Sequence, residues 1–418
     1  MNNPRINANT ATTGACLTTG HAESLPGTGS RIRVIRTLEG MEEIRLAWTA
    51  WRGHRDADID FCKTLLGCWS ESTRPHVVLI ELNGQPDAML VGSASTTTLS
   101  ERIAYMKLPV SRVRVLNFVY GGFLGNQSEN NSKLIIKEIE QSLQRGDADV
   151  AILSYVRENT LLHQFATRIR SVLMRDHFST SQSHWIMDLP KAADDIYAAI
   201  SLEHRASQKE ETRKFRKFRA AFPDLQVVRF QGTDRLEELL REAERVAATT
   251  YQRALGVGFS DTRPIRDLLT LEAKKGWLRG HVLYAGGRPC AFEIGCLYND
   301  VFLGEYLGHD PAFAKYAPGT YLLVQVIEGL WREKATAIDW GIGEALYKQR
   351  FGNRHWQERT IYLYAPTLKG MQAKALRTIA AVIDSSGKAM LKRLKLTNHV
   401  KKLWRQRVTQ DKSRTSMQ

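Results

Sequence analysis

Asp339, Gly341, Gly343, Tyr347 and Lys348 fall within one stretch, IDWGIGEALYKQRFG, at residues 338–352. A carboxylate can accept a proton, a phenol can donate one, and an ammonium can hold an anion. Two glycines one residue apart signal backbone angles that other residues avoid, or close approach by another group. Ile338 closes a short apolar run that reads as a strand. Asp339 then stands at a strand's C-terminal end, where open α/β sheets gather their chemistry. Tyr347 and Lys348 follow on what reads as one helical turn. A plainer reading stays open, in which Asp339 caps the backbone of a glycine turn and Tyr347 packs its ring beneath a helix. Other residues with chemical potential lack company. GIGEAL carries Leu346 where a dinucleotide fingerprint needs its third glycine. His281 and His309 have no ligand-spaced partners, and Cys290 and Cys296 share one strand and read as core.

The elements that must position these residues show an internal similarity. Residues 79–92 read LIELNGQPDAMLVG and residues 282–295 read VLYAGGRPCAFEIG. Both are a strand, a turn with the pattern Gly-x-Pro, and a second strand ending in Gly. Turn residues between two β-rich runs predict a hairpin. A strand, a helix and a further strand follow each copy: RVRVLNFVYGG, SKLIIKEIEQSLQRGD and DVAILSYV in the first, VFLGEYLGHD, GTYLLVQVIEGLWREK and TAIDWG in the second. In the second helix Leu322, Leu323, Val326, Ile327 and Leu330 recur at helical spacing, so one face is buried. The chain is therefore expected to be α/β (α+β), with two copies of one unit at 31–190 and 191–366, each a mixed twisted sheet flanked by helices.

Composition sets the remaining bounds. The chain of 418 residues carries a net charge of +15, and residues 366–418 hold 13 of the 59 Lys/Arg but only 2 of the 44 Asp/Glu. Basicity is thus mostly a property of 367–418, which reads as a basic helical tail. Residues 1–30, rich in Asn, Thr and Gly, read as a disordered leader without the apolar core of a signal peptide. The 5 cysteines include no C-x-x-C pair, so no metal is expected and a reducing cytoplasm is. No apolar run approaches the roughly 18 residues of a membrane span.

At LGHDPAFAKYAPGTYLL (307–323) and DWGIGEALYKQRFG (339–352), preceded by the basic helix EHRASQKEETRKFRKF (203–218), the sequence resembles the GNAT acyltransferases. More narrowly it is similar to the CelD-type, or BioF2-like, acetyltransferase domains associated with cellulose and exopolysaccharide synthesis. Residues 31–190 resemble that fold in element order alone, as in the tandem Fem-type aminoacyltransferases. The resemblance implies an acyl-CoA, acetyl-CoA in the simplest case, as co-substrate. Tyr306, Leu307 and Gly308 would hydrogen-bond the pantetheine arm through their backbone. Ala317, Gly319 and Thr320, at a helix start, would bind pyrophosphate, with Lys315 adding charge. The usual glycine-rich phosphate loop is here AKYAPGTYL, with one glycine, so the cofactor rests on relationship rather than on a motif. A plain loop before a buried helix remains the alternative.

Proton-transfer roles divide among three residues. Glu305 would be a base on the strand, on the same side as Leu303 and Leu307 by simple alternation. Asp339 would be the base instead, or would orient Lys348. Tyr347 would protonate the leaving thiolate, with Lys348 as an anion partner. The implied function is acyl transfer to an amine of a sugar or cell-envelope precursor, small or carrier-linked. A Fem-type aminoacyl-tRNA-dependent transferase and a non-catalytic scaffold of a polysaccharide system are the alternatives. Arg205, Lys209, Arg213, Lys214, Arg216, Lys217 and Arg219 form either a solvated helix face or a phosphate site. In the tail, Leu391, Leu394, Leu403 and Trp404 make an apolar face among lysines. That pattern suits peripheral contact of a cytoplasmic protein with an anionic membrane, or a docking helix, ahead of nucleic acid.

Overall fold

The structure, a computed structural model, describes residues 22–24, 29–68, 72–98, 101–103, 106–108, 112–169, 171–191, 205–250, 253 and 258–393. In chain order the main elements begin with β1 (Ser30–Ile35), β2 (Val77–Leu82), β3 (Gln85–Thr98), β4 (Arg112–Gly125), α1 (Glu129–Gln144), β5 (Val150–Arg157) and β6 (Ser181–Asp188). They continue with α2 (Arg205–Ala221), β7 (Gln226–Phe230), α3 (Leu236–Ala247), α4 (Arg263–Lys274), β8 (Leu278–Ala285), β9 (Arg288–Tyr298) and β10 (Val301–His309). The last are α5 (Pro318–Arg332), β11 (Ala337–Ile342), α6 (Leu346–Phe351), β12 (Arg354–Tyr364) and α7 (Leu368–Arg393).

The chain divides into two compact units. Over the described residues, one is Ser183–Trp356, and the other combines those up to Gln182 with those from Gln357 to Arg393. The sequence reading placed breaks at 190 and 366. In this division β6 counts largely with the second unit, and most of β12 with the first.

The first unit orders its strands β1-β2-β3-β4-β5-β12, and the second β7-β8-β9-β10-β11-β6. Neighbours are antiparallel except for one pair in each. In the first unit β4 and β5 run parallel from Val115↔Val150 to Phe118↔Leu153. In the second β10 and β11 run parallel from Val301↔Ala337 to Leu303↔Asp339. Parallel neighbours need a crossover, and α1 and α5 supply it. Both units are thus mixed sheets flanked by helices, as expected from the repeated element order.

The paired hairpins match position for position. Asn83 and Gly84 turn with φ of 52° and 78°, and Gly286 and Gly287 with 60° and 68°. Positive φ at both central positions is the two-residue turn that suits the twist of a hairpin, which explains Asn-Gly and Gly-Gly here. The proline of each motif lies just beyond the turn and not within it. Pro86 pairs with Glu81, and Pro289 with Tyr284, each at a register shift. There the missing N–H does not interrupt a regular ladder.

Burial follows alternation on both faces. In the first unit Val78, Ile80 and Leu90 pack with Ile135 and Ile139 of α1. Val77, Leu79 and Met89 pack on the other face with Met41 and Trp48. In the second unit Leu322, Leu323, Val326, Ile327 and Leu330 of α5 are all buried, as their spacing predicts. They meet Leu283, Ala291 and Phe302, while Val282, Phe292 and Ile294 face α3 and α4. Cys290 and Cys296 are buried in the sheet.

Within the stretch expected to be an unstructured leader, Ala22–Ser24 is a strand, paired antiparallel with residues 31–33. Edge pairing uses backbone groups, which composition does not register. The basic tail is helical to Arg393. Leu394, Leu403 and Trp404 lie outside the described residues. Among the described residues no helix is long and apolar enough to cross a membrane, and no group of three His, Cys, Asp or Glu is gathered for a metal.

Candidate active site

The site is made where two strands stop pairing. β10 and β11 are bonded as far as Leu303↔Asp339 and then part, although β10 continues to His309. Past that point β10 no longer pairs with β11 along this edge. A ligand able to hydrogen-bond like a strand can take that place.

A β-bulge sits at the same point. Against β9, Tyr306 pairs with Ile294 and Gly304 with Gly295, so Glu305 is the extra residue. One extra residue reverses the alternation of every side chain beyond it. Phe302 and Leu307 accordingly pack on the same face, against α5, whereas Tyr306 packs toward α3 and α4. This corrects the expectation that Glu305 shares a face with both Leu303 and Leu307. Gly295 permits the bulge, because a methyl group there would lie 2.3 Å from the Leu303 carbonyl oxygen.

One residue before the bulge on β9 lies Glu293, paired with Leu307, its carboxyl 2% exposed. A methyl group at Gly304 would sit 3.3 Å from its Oε1, so the glycine leaves room for the carboxyl where the strands part. Oε2 has no hydrogen-bond partner, and the nearby His281 Nδ1, 3.5 Å away, has none either. Burial first, and the charge of Glu305 second, hold the Glu293 carboxyl well above the usual carboxylate range. Burial, with Arg229 and Arg279 nearby, pushes the His281 imidazole down to about 3.

Beyond the parting point β11 is held by its own side chains. Asp339 Oδ1 accepts from the Gly341 N–H at 2.6 Å and lies 2.7 Å from His184 Nε2. His184 is buried and stacks on Trp356 at 4.8 Å. Gly341 and Gly343 have φ of 69° and 118°, and the Gly343 N–H donates to the Ser183 carbonyl. The two glycines are therefore required by the backbone path. α6 then brings Lys348 underneath, 3% exposed, with Nζ donating to the Ile342 carbonyl at 2.8 Å. Burial pushes its ammonium down to about 8, while Asp339 acts in the opposite direction. Tyr347 is half-buried, its ring edge-on to Trp340 at 5.9 Å.

The third part is the start of α5. Ala317 is left-handed, with φ 55° and ψ 51°, and turns the chain from the short helix Pro311–Tyr316 into α5 without a side-chain cap. Pro318 is the first helical residue and has no N–H, so the first-turn donors begin with Gly319 and Thr320. Gly319 lies against His309, the last residue of β10, at 3.4 Å from an added methyl group. The basic helix α2 is anchored here. Phe218 stacks on Tyr316 at 4.9 Å, and Arg219 Nε donates to the Tyr321 hydroxyl at 3.2 Å. Lys315, Arg213, Arg216, Lys217 and Arg219 are exposed.

Comparison with known proteins is informative for this same region. Residues 206–349 match the family model described as an acetyltransferase (GNAT) domain. The second unit has the GNAT acyltransferase fold. Among solved structures, FemX superposes with a TM-score of 0.52 at 8% identity, over 78% of this chain and 96% of its own. A conserved protein of unknown function from Bacteroides thetaiotaomicron VPI-5482 gives 0.46 at 16%, over 78% and 97%. A tandem GNAT protein from the clavulanic acid biosynthesis pathway gives 0.46 at 10%, over 80% and 99%. No curated protein matches the chain.

In this GNAT unit the predicted residues fall into three places. Glu305, Tyr306, Leu307 and Gly308 occupy the part of β10 freed from β11. Ala317, Gly319 and Thr320 form the turn into α5, with Lys315 on the short helix before it. Asp339, Tyr347 and Lys348 come together around β11 and α6. Asp339 behaves as the turn-capping alternative requires and also holds His184. Lys348 is committed to a backbone carbonyl and would have to leave it to meet an anion. Sequence reading missed two residues. His184 lies 155 positions from Asp339 and no local pattern joins them. Glu293 did leave a signal, as the one charge within CAFEIGC at 290–296.

Proposed function

We propose that Ser183–Trp356 transfers an acyl group from an acyl-CoA, acetyl-CoA in the simplest case, to an amine. The observation that carries this reading is the parting of β10 from β11 beside the uncapped start of α5. The β10 edge at Tyr306–Gly308, beyond its pairing with β11, suits the pantetheine amides, and the Gly319 and Thr320 N–H groups with the helix dipole suit pyrophosphate. Lys315 and Arg219 add positive charge beside them. Glu305 takes the amine's proton, and Tyr347 protonates the departing thiolate. Asp339, bound to His184 and to the Gly341 N–H, keeps the β11 turn in shape.

The acceptor class we favour is an amine on a sugar or cell-envelope precursor, of the kind linked to exopolysaccharide or cellulose synthesis. It rests on resemblance to the CelD-type domains. A second reading is favoured by the exposed cations of α2. Arg213, Arg216 and Lys217 present a row suited to a polyanionic donor such as aminoacyl-tRNA. A third reading, a non-catalytic scaffold, predicts acyl-CoA binding without turnover.

Calorimetry with acetyl-CoA on the full chain and on Gly319→Glu tests the main reading. The variant puts a carboxylate at the helix start, in van der Waals contact with His309 and without backbone strain. Binding to the wild type that is lost in Gly319→Glu supports the site. No binding of several acyl-CoAs to the wild type, with salt-sensitive binding of aminoacyl-tRNA, would replace it with the second reading.

A further inference from the structure

Gly304 opens a small polar notch at the point where β10 leaves β11. A methyl group built there would lie 3.3 Å from Glu293 Oε1, 3.8 Å from the Asp339 carbonyl oxygen and 3.8 Å from the Phe302 ring. Gly304 is partly exposed, whereas Phe302 and Leu303 before it are buried. The notch is therefore reached from outside, although the carboxyl that floors it is 2% exposed.

Burying Glu293 costs free energy that an apolar residue of similar size would not. Its Oε2 has no hydrogen-bond partner and lies 3.5 Å from His281 Nδ1, which has none either. The two residues pair directly across β8 and β9, so their side chains share one face of the sheet. Oε2 is thus turned to β8 and Oε1 to the notch. In the protonated form, which burial favours, the proton is best placed on Oε2, where it faces a neutral imidazole. Oε1 then accepts hydrogen bonds as a carbonyl oxygen does, and in the ionised form it accepts as well. The Asp339 carbonyl is an acceptor with two lone pairs. Both polar walls of the notch are acceptors and the third is a ring, so the notch suits a donor and not a carbonyl or phosphate oxygen.

We propose that this notch seats one N–H of the acceptor amine between Glu293 Oε1 and the Asp339 carbonyl oxygen and thereby selects primary amines, with His281 as the positioning residue behind the carboxyl. The proposal rests on the acyl-transfer reading for its reaction. There the amine nitrogen bonds to the thioester carbon, the carbon–sulfur bond breaks, one nitrogen proton leaves to Glu305, and Tyr347 gives a proton to the thiolate. A neutral primary amine carries two hydrogens on nitrogen. One leaves, and the one that stays in the amide is the one held in the notch. A secondary amine or an alcohol has a single hydrogen, which must leave, so the acceptor oxygens of the notch would be left unpaired. Glu293 therefore binds the acceptor without taking its proton.

Gly304→Ala tests the notch. It adds a methyl group without backbone strain, requires Glu293 to give by only a few tenths of an ångström, and removes no functional group. Acetyl-CoA affinity, read by calorimetry, should stay as in the wild type. In turnover with pairs of primary amines and their N-methylated partners, the wild type should prefer the primary amine by about 100-fold or more. Gly304→Ala should cut that ratio by about 10-fold or more. Carbon-13 NMR of the full chain, labelled at the Glu side-chain carboxyl, follows the notch without the cofactor. The Glu293 signal, identified by its loss in Glu293→Leu, should move on addition of methylamine and not of tetramethylammonium, and in Gly304→Ala with neither. A signal that ignores methylamine, or that answers it equally in Gly304→Ala, overturns the notch. So does an unchanged ratio of primary to N-methylated turnover in that variant, which decides the matter even if Glu293→Leu fails to fold. Failure of the acyl-CoA reading appears separately, as absent calorimetric binding to the wild type with the NMR response to methylamine intact.

Discussion

Lys348 is the clearest place to test how burial is managed in this fold. Its ammonium is 3% exposed and its pKa is pushed from 10.5 to about 8 by burial, against the pull of Asp339. The gap of about 2.5 pH units corresponds to roughly 3 kcal/mol at about 1.4 kcal/mol per unit. Its sign follows from proton counts. Below pH 8 both folded and unfolded chains hold the proton, and the folded chain carries the full cost of a buried charge. Between pH 8 and 10.5 the folded chain has lost the proton and the unfolded chain still binds it, so stability rises with pH. Above 10.5 neither form holds it. Lys348→Met removes the group and keeps its length and most of its volume. Urea unfolding followed by tryptophan fluorescence, at several pH values for both proteins, isolates the contribution, because the other titrations are common to both. The stability of the wild type relative to Lys348→Met should climb by about 3 kcal/mol between pH 8 and 10.5. At neutral pH the variant should be the more stable of the two, less about 1.5–3 kcal/mol for the lost charged hydrogen bond to Ile342. A difference that stays flat or falls as pH rises would mean that Lys348 is not charged at a desolvation cost in the folded chain.

Other substitutions test other links. Gly295→Ala drives a methyl group into the Leu303 carbonyl and the Phe302 ring, so it should destabilise the second unit by several kcal/mol and abolish acyl-CoA binding, read by unfolding and calorimetry. Gly84→Ala and Gly287→Ala meet no atoms within 4 Å but have φ of 78° and 68°. Each should therefore cost about 1–2 kcal/mol in urea unfolding, by equal amounts if the hairpins are equivalent. His184→Phe leaves the buried Asp339 without its 2.7 Å partner and should cost about 1–3 kcal/mol, with acyl-CoA affinity reduced through the β11 turn. Ile327→Ala, at the centre of the buried face of α5, should cost about 2–5 kcal/mol in the same assay.

What depends on neighbours along the chain could be read from residue order. The buried face of α5 was legible because helical spacing puts Leu322, Val326 and Ile327 on one side. The repeated element order was legible because hairpin turns demand particular residues, and Asn83-Gly84 and Gly286-Gly287 meet the same demand. Gly341 and Gly343 announced their positive φ for the same reason. Tertiary structure alone decided what depends on partners far away in sequence or on register. The bulge at Glu305 exists only relative to β9, and it reverses the face assigned by alternation. His184 reaches Asp339 because β6 lies antiparallel to β11, a pairing no local pattern specifies. Glu293 could be seen as a lone charge in an apolar strand. Its environment could not, because desolvation, the space beside Gly304 and the charge of Glu305 come from three strands meeting. Periodicity is a property of one element, whereas the candidate site comes from where two strands part.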